Sequence, residues 1–184
     1  GLKMLAEGQG DALMWYDGVL YAGNYPGAYL TRINLEDPNR NVIMASFSDE
    51  RYNQARIHAM AAGDGHIFAG TIPGWYKFGG VFVDINLETL DRVVIEDIVK
   101  DQSITGVVYR DGYVFGTTSI YGGTASGDPK PDASAKIFVY DVKQQKKVGE
   151  LDLRKYISDL PEVLPYIDGI TVDPNGQLWG VIAE

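Results

Sequence analysis

The chain has 184 residues, enough for one domain with a sizeable core, and no apolar run long enough to predict a transmembrane segment. Its formal net charge is −9, from 16 basic and 25 acidic residues, and the basic residues are scattered, so the sequence lacks the basic footprint that nucleic-acid binding requires. It contains no cysteine, which excludes disulfides, thiolate metal sites and a cysteine nucleophile and leaves the cellular compartment undecided.

The first predicted element is a β-hairpin near the start of the chain. An Asp-Gly dipeptide at 17–18 separates two apolar runs, residues 12–16 and 19–23. This pattern is a strong hairpin signal, because a type I′ turn requires positive φ at both central residues. A third strand over 29–36 and a fourth over 41–47 complete the unit, so four antiparallel strands are predicted.

The same plan recurs along the chain. Asp-Gly turns begin at residues 17, 64 and 111, a spacing of 47, and an Asn-Gly turn follows at 175. A period of this size is a strong sign of a repeat architecture. We predict a single domain, 1–184, with units at 9–51, 55–99 and 102–152 and a half unit at 166–184.

Four antiparallel strands in about 45 residues are typical of a propeller blade, so the predicted fold class is all-β, a β-propeller with about three and a half four-stranded blades. The chain resembles bacterial β-propellers built from Asp-Gly-x-(Leu/Ile/Val)-(Tyr/Trp/Phe)-x-Gly blades. Residues 172–179, Val-Asp-Pro-Asn-Gly-Gln-Leu-Trp, are especially typical of them. The tryptophan–aspartate and kelch signatures are absent, which leaves the subfamily unassigned. The resemblance implies this fold, and the fold implies no particular function.

One stretch departs from the strand pattern. Leu153, Tyr156, Ile157 and Leu160 stand at i, i+3, i+4 and i+7, and Pro161 follows. This spacing predicts a short amphipathic helix. The insertion also helps to explain why the last turn comes later than the period requires.

Three and a half blades do not close a ring, because the smallest usual propellers have about four. We therefore expect apolar flanks that need a cover. Either the chain belongs to a longer propeller of seven or eight blades, or two copies combine to make seven. In the second case, residues 2–5 could add a strand to the last blade of the partner.

One polar residue per blade stands at a matched position. Asp11, His58 and Thr105 each lie six residues before an Asp-Gly turn, and Asp168 fits if the last turn is one residue longer. On innermost strands these side chains, with the neighbouring Arg56, would ring the mouth of the central channel. They could bind a ligand, or they could bind channel water and satisfy one another. As cation ligands Asp11, His58 and Asp168 form only a weak pattern, so no metal site is predicted.

Aromatic residues mark the loops that join the second and third strands of each blade. These loops lengthen from 24–28 to 71–79 and 117–134. Flat aromatic rings there could stack on sugar rings or anchor a protein partner, and they could also merely cap the blade edges. The residues are Tyr25, Trp75, Tyr76 and Tyr121.

Three functions remain open. The first is a binding module for a small polar ligand, such as a saccharide, on the loop face. The second is an interaction scaffold without a small-molecule site. The third is a lyase or hydrolase with His58 as general base and Asp11 or Asp168 as its partner. No cofactor motif is found, and His66, just after a turn on the opposite face, is not expected to take part.

Overall fold

The structure is a computed structural model that describes residues 8–183. Within that range the chain forms fourteen strands and two short 3-10 helices, Pro38–Arg40 and Leu153–Lys155. The strands are β1 (Gln9–Tyr16), β2 (Val19–Tyr25), β3 (Tyr29–Ile33), β4 (Val42–Ser46), β5 (Gln54–Gly63), β6 (His66–Pro73), β7 (Val81–Asn86), β8 (Arg92–Glu96), β9 (Ser103–Arg110), β10 (Tyr113–Ser119), β11 (Ile137–Asp141), β12 (Lys146–Leu151), β13 (Tyr166–Val172) and β14 (Leu178–Ala183).

The strands form antiparallel meanders, as the repeat predicts. β1–β4 and β5–β8 are four-stranded sheets, β9–β12 is a third, and β13–β14 is a hairpin joined to β10 by the pair Ser119 and Tyr166. The innermost strands β1, β5, β9 and β13 lie side by side in chain order. The predicted all-β propeller fold is confirmed.

The Asp-Gly turns have the predicted conformation. Both turn residues have positive φ in each blade, at 47° and 73° for Asp17 and Gly18, and at similar angles in the next two. This is the type I′ combination. The fourth turn differs, because a hydrogen bond of 2.9 Å from the Asp173 N–H to the Gln177 carbonyl closes a longer loop.

The glycine that ends the motif in the first two blades has a packing role. A Cβ on Gly23 would stand 2.6 Å from Ile57 Cγ2, and one on Gly70 would stand 2.3 Å from Ile104 Cγ2. Each isoleucine belongs to the innermost strand of the next blade and is fully buried. Glycine at these two positions therefore lets neighbouring blades approach closely, and a buried isoleucine contributes about 1.5–3 kcal/mol.

The helix predicted for residues 153–160 is wrong. Only Leu153–Lys155 forms a 3-10 turn, with the Asp152 carboxylate accepting from the Arg154 N–H. Leu153 and Leu160 pack on the small core around Leu164, whereas Tyr156 and Ile157 are exposed to solvent. Eight residues are too few for a stable helix unless its whole apolar face is packed.

Among residues 8–183, no helix has the length and apolar character needed to cross a bilayer. The strand proposed for residues 2–5 lies outside the described residues.

Candidate functional site at the channel mouth

The innermost strands share one irregularity at the same height. The register of β1 against β2 shifts between Gly10 and Ala12, which leaves Asp11 as the extra residue. The corresponding shifts in the next two blades leave His58 and Thr105. A β-bulge redirects a side chain and is common beside functional sites. The repeated bulge therefore explains why the polar residues of the three blades occupy equivalent positions.

In the fourth blade, the predicted position is wrong by one residue. The register of β13 shifts between Asp168 and Ile170, so Gly169 takes the bulge position. Gly169 has φ +60°, a conformation that glycine adopts without strain. Asp168 precedes the bulge, is exposed, and accepts a hydrogen bond of 3.4 Å from the Tyr166 hydroxyl. Burial, with a smaller contribution from Asp168, raises the pKa of that hydroxyl.

Asp11 and Arg56 form the centre of the candidate site. Arg56 Nη1 lies 3.0 Å from Asp11 Oδ2, and the guanidinium carbon lies 4.3 Å from the centre of the Tyr25 ring. The Asp11 side chain is only 7% exposed, whereas that of Arg56 is 32% exposed. The pair thus joins the first two blades, and part of the guanidinium still reaches solvent.

His58 adjoins this pair without joining it. Its Nδ1 lies 3.9 Å from Asp11 Oδ2, which is too long for a hydrogen bond. Nδ1 is buried and has no hydrogen-bond partner within the described chain, although 29% of the side chain is exposed. A buried polar atom without a partner costs about 1–3 kcal/mol, which a bound group or water could recover.

Thr105 occupies its predicted strand position but is already engaged. Its hydroxyl lies 2.5 Å from the Ile167 carbonyl oxygen and 3.1 Å from Thr117 Oγ1, and the residue is buried. These contacts tie β9 to β13 and β10. Thr105 therefore has a structural role here. Of the four predicted ring residues, Asp11 and His58 remain available, together with the neighbouring Arg56.

The aromatic residues of the loops fall into two groups. Tyr25 lies under Arg56, as described above. Trp75 and Tyr76 have ring centres 6.0 Å apart, and their loop is bonded to that of Tyr121 through the Tyr76 N–H and the Thr124 carbonyl at 2.9 Å. Trp75, Tyr76 and Tyr121 are exposed, so the structure leaves their faces open to solvent.

The described residues contain no group of three histidine, aspartate or glutamate side chains that could hold a metal ion. The bulge at Gly169 displaces Asp168 from the position that corresponds to Asp11 and His58. What Asp11, Arg56 and His58 can do is accept and donate hydrogen bonds on the innermost strands of the first two blades.

A hydrogen-bonded cluster around His66, which the sequence did not predict, lies on the face of the Asp-Gly turns. His66 Nδ1 lies 2.6 Å from Asp84 Oδ1, and the Tyr140 hydroxyl donates to Asp84 Oδ2 at 2.9 Å. Burial, and next the charge of Asp84, strongly raise the pKa of Tyr140. The available signal was Asp84 itself, a carboxylate in the otherwise apolar run of residues 81–85.

No protein-family model and no curated protein matches this sequence. Among solved structures, a luciferin-regenerating enzyme is similar in fold, with a TM-score of 0.60 and 11% identity over 96% of this chain. The chain spans 56% of the length of that structure. The WD40 domain of Pan2 from Neurospora crassa is also matched, at 11% identity over 90% of this chain and 69% of that one, with a TM-score of 0.25. The first similarity supports a propeller fold alone.

Proposed function

We propose that this chain is a ligand-binding propeller module whose site is the polar channel mouth around Arg56 and His58. The observation that carries the proposal is the buried, unpartnered Nδ1 of His58 beside the Asp11–Arg56 pair. Polar atoms in this position are normally satisfied, and a ligand would supply the missing partner.

The chemistry of the site favours a small ligand rich in oxygen. Of the guanidinium nitrogens of Arg56, Nη1 is held by Asp11, and the side chain is partly exposed. Its remaining N–H groups can donate to hydroxyl or carboxylate oxygens, and the ring of His58 can donate or accept. A saccharide or sugar acid meets these requirements, and the exposed Trp75, Tyr76 and Tyr121 offer flat surfaces for further sugar rings.

Binding is preferred to catalysis because the carboxylate is already committed. A general base needs its orienting partner within hydrogen-bond distance, and Asp11 is paired with Arg56 rather than with His58. The scaffold alternative retains one supporting observation, the exposed aromatic faces, which could anchor a protein.

Titration with D-glucuronate and D-glucose, followed by amide NMR shifts, tests the binding proposal. Shifts should centre on Arg56 and His58, and Arg56→Met should weaken glucuronate binding about tenfold, the value of one hydrogen bond to a charged group. Arg51→Met is a matched control, because Arg51 also pairs with a carboxylate, Glu96, and also lies over a tyrosine, Tyr52. If both variants bind alike, or if shifts appear elsewhere, the channel mouth is not the site.

We also propose that further blades, from the same polypeptide or from a second copy, cover the two flanks of this arc. On β1, Leu13 and Trp15 are exposed on the face opposite the packed Met14 and Tyr16. On β14, Trp179 and Val181 are also exposed. Open apolar sheets of this kind favour association.

Size-exclusion chromatography with light scattering tests whether the exposed flanks of the 184-residue chain associate. Self-association is expected, and it should decrease when Trp15 and Val181 are both replaced by lysine. A stable monomer at high concentration would contradict the proposal.

A further inference from the structure

A cavity lies where the second and third blades meet. It has a volume of about 420 Å³, within the range of small-molecule sites. Its walls come from the β6–β7 loop, the β8–β9 connection and the long β10–β11 loop, and they include none of Asp11, Arg56 and His58. We propose that this cleft binds a small organic amine, a protonated ammonium group carried on an apolar body.

The buried part of the cleft lining, which forms its floor, has one unused polar group. Gln102 Nε2 donates to the Ser134 carbonyl at 2.9 Å, and Ile120 is buried beside the cavity. Ser134 is 1% exposed, and its hydroxyl has no hydrogen-bond partner among residues 8–183. A buried hydroxyl without a partner is uncommon, and its oxygen can accept from an ammonium N–H.

The charges around the cleft favour a cation. Each lysine of the lining is already paired with a carboxylate: Lys130 Nζ lies 2.5 Å from Asp101, Lys100 Nζ lies 2.7 Å from Asp97, and Lys136 Nζ lies 2.9 Å from Asp152. The hydrogen bond from Lys130 also holds the pKa of Asp101 below its usual range.

Two carboxylates of the lining remain, Asp128 and Asp132, and neither forms an ion pair with any described residue. Their charge is therefore free to act on a ligand, and it would repel an anion.

One wall of the cleft is apolar. Phe78, Pro129 and Ala133 line it together with Ile120. An ammonium ion on an aromatic or alkyl body would place its charge near Asp128 and Asp132 and its apolar part against this wall. A phenyl ring fits this description, so 2-phenylethylamine is a suitable probe.

The test is titration of the 184-residue chain with 2-phenylethylamine, and separately with phenylacetate and 2-phenylethanol, followed by amide NMR. The amine should shift the amides of Gln102, Ile120 and Ser134 and should bind more tightly than the acid or the alcohol. Equal binding of all three probes, or shifts centred on Arg56 and His58, would overturn the proposal. The channel-mouth function would be unaffected, because the two sites share no residue.

Variants separate charge from packing. The double variant Asp128→Asn/Asp132→Asn should weaken amine binding about tenfold, whereas the exposed Asp159→Asn should leave it unchanged. Ser134→Ala should also weaken amine binding, with no loss of thermal stability, because the hydroxyl has no partner to lose. Unchanged affinity in either cleft variant, or a lower melting temperature for Ser134→Ala, would contradict the proposed floor and rim.

Discussion

The chain has two histidines, and each lies beside an aspartate in a very different way. His66 Nδ1 is 2.6 Å from Asp84, whose second oxygen accepts from Tyr140. His58 Nδ1 is 3.9 Å from Asp11, whose carboxylate is taken by Arg56. The side chain of His66 is 16% exposed and that of His58 is 29% exposed, so both are partly buried. They differ mainly in their hydrogen bonds.

The His66 cluster is satisfied on every side. The Asn86 side-chain oxygen accepts from the N–H groups of Glu88 and Thr89, which leaves the amide nitrogen, 3.3 Å from His66 Nε2, as a donor to the ring. The proton of the neutral ring then lies on Nδ1, toward Asp84. A histidine–aspartate pair can therefore stabilise the fold when all its hydrogen bonds are made, and it can offer a binding site when they are not.

The largest expected effect comes from removing the two carboxylates in turn. Asp84→Ala leaves His66 and Tyr140 buried without their partner, and we expect a loss of about 3–5 kcal/mol in the free energy of unfolding. Asp11→Ala should cost about 1 kcal/mol or less, because Arg56 can turn to solvent. Urea unfolding at neutral pH measures the free energy of unfolding of both variants. Equal losses would contradict the difference proposed between Asp84 and Asp11.

The histidines themselves should follow the same order. His66→Ala should cost about 2 kcal/mol, since it removes two hydrogen bonds and leaves Asp84 with only Tyr140. His58→Ala should leave stability unchanged or raise it, because its buried nitrogen has no bond to lose and its removal relieves the cost of an unpartnered polar atom. The same unfolding measurements check this, and a loss at His58 would reveal a partner there.

A third carboxylate, Asp152, tests whether the number of ion-pair partners also determines how stability changes at acid pH. Asp152 is as buried as Asp11, at 7% exposed, but Arg154 and then Lys136 lower its pKa. A lowered folded-state pKa means that the stabilisation is complete above the unfolded value near 4 and is lost as the pH falls through the folded value. Asp152→Asn should therefore remove about 1–2 kcal/mol at pH 7 and flatten the loss of stability below about pH 4.

Asp11→Asn is the matched control for that profile. Asp11 pairs with one cation, Arg56, whereas Asp152 pairs with two, Lys136 and Arg154. If both substitutions change the dependence of stability on acid pH equally, the second cation has no effect.

The smallest effect is spectroscopic. Nitrogen-detected correlation of the histidine rings at alkaline pH should show His66 as the Nδ1–H tautomer, because Asp84 and Asn86 fix its two nitrogens. His58 has no such constraint at Nδ1 and should show a mixture of tautomers. A single Nε2–H form at His66 would contradict the assigned hydrogen bonds.

Local chemistry made much of the fold predictable. The type I′ turns at Asp17, Asp64 and Asp111 are encoded by Asp-Gly pairs between apolar runs, and the strands around them follow within a few residues. The 47-residue spacing also placed Asp11, His58 and Thr105 correctly, since equal spacing repeats the bulge. In the fourth blade the same offset, six residues before Asn175, gives Gly169, and that residue takes the bulge; allowing for a turn one residue longer wrongly pointed to Asp168.

The turns, the strand order and the strand positions of Asp11, His58 and Thr105 follow from the sequence alone, because they depend on contacts between near neighbours in the chain. Three features depend on the tertiary structure. The Thr105 hydroxyl donates to the Ile167 carbonyl, and Asp11 pairs with Arg56 and not with His58. Residues 153–160 do not form a helix. Each of those outcomes depends on which groups from distant segments compete for one partner or one apolar surface. The spacing of residues along the chain does not predict the result of that competition.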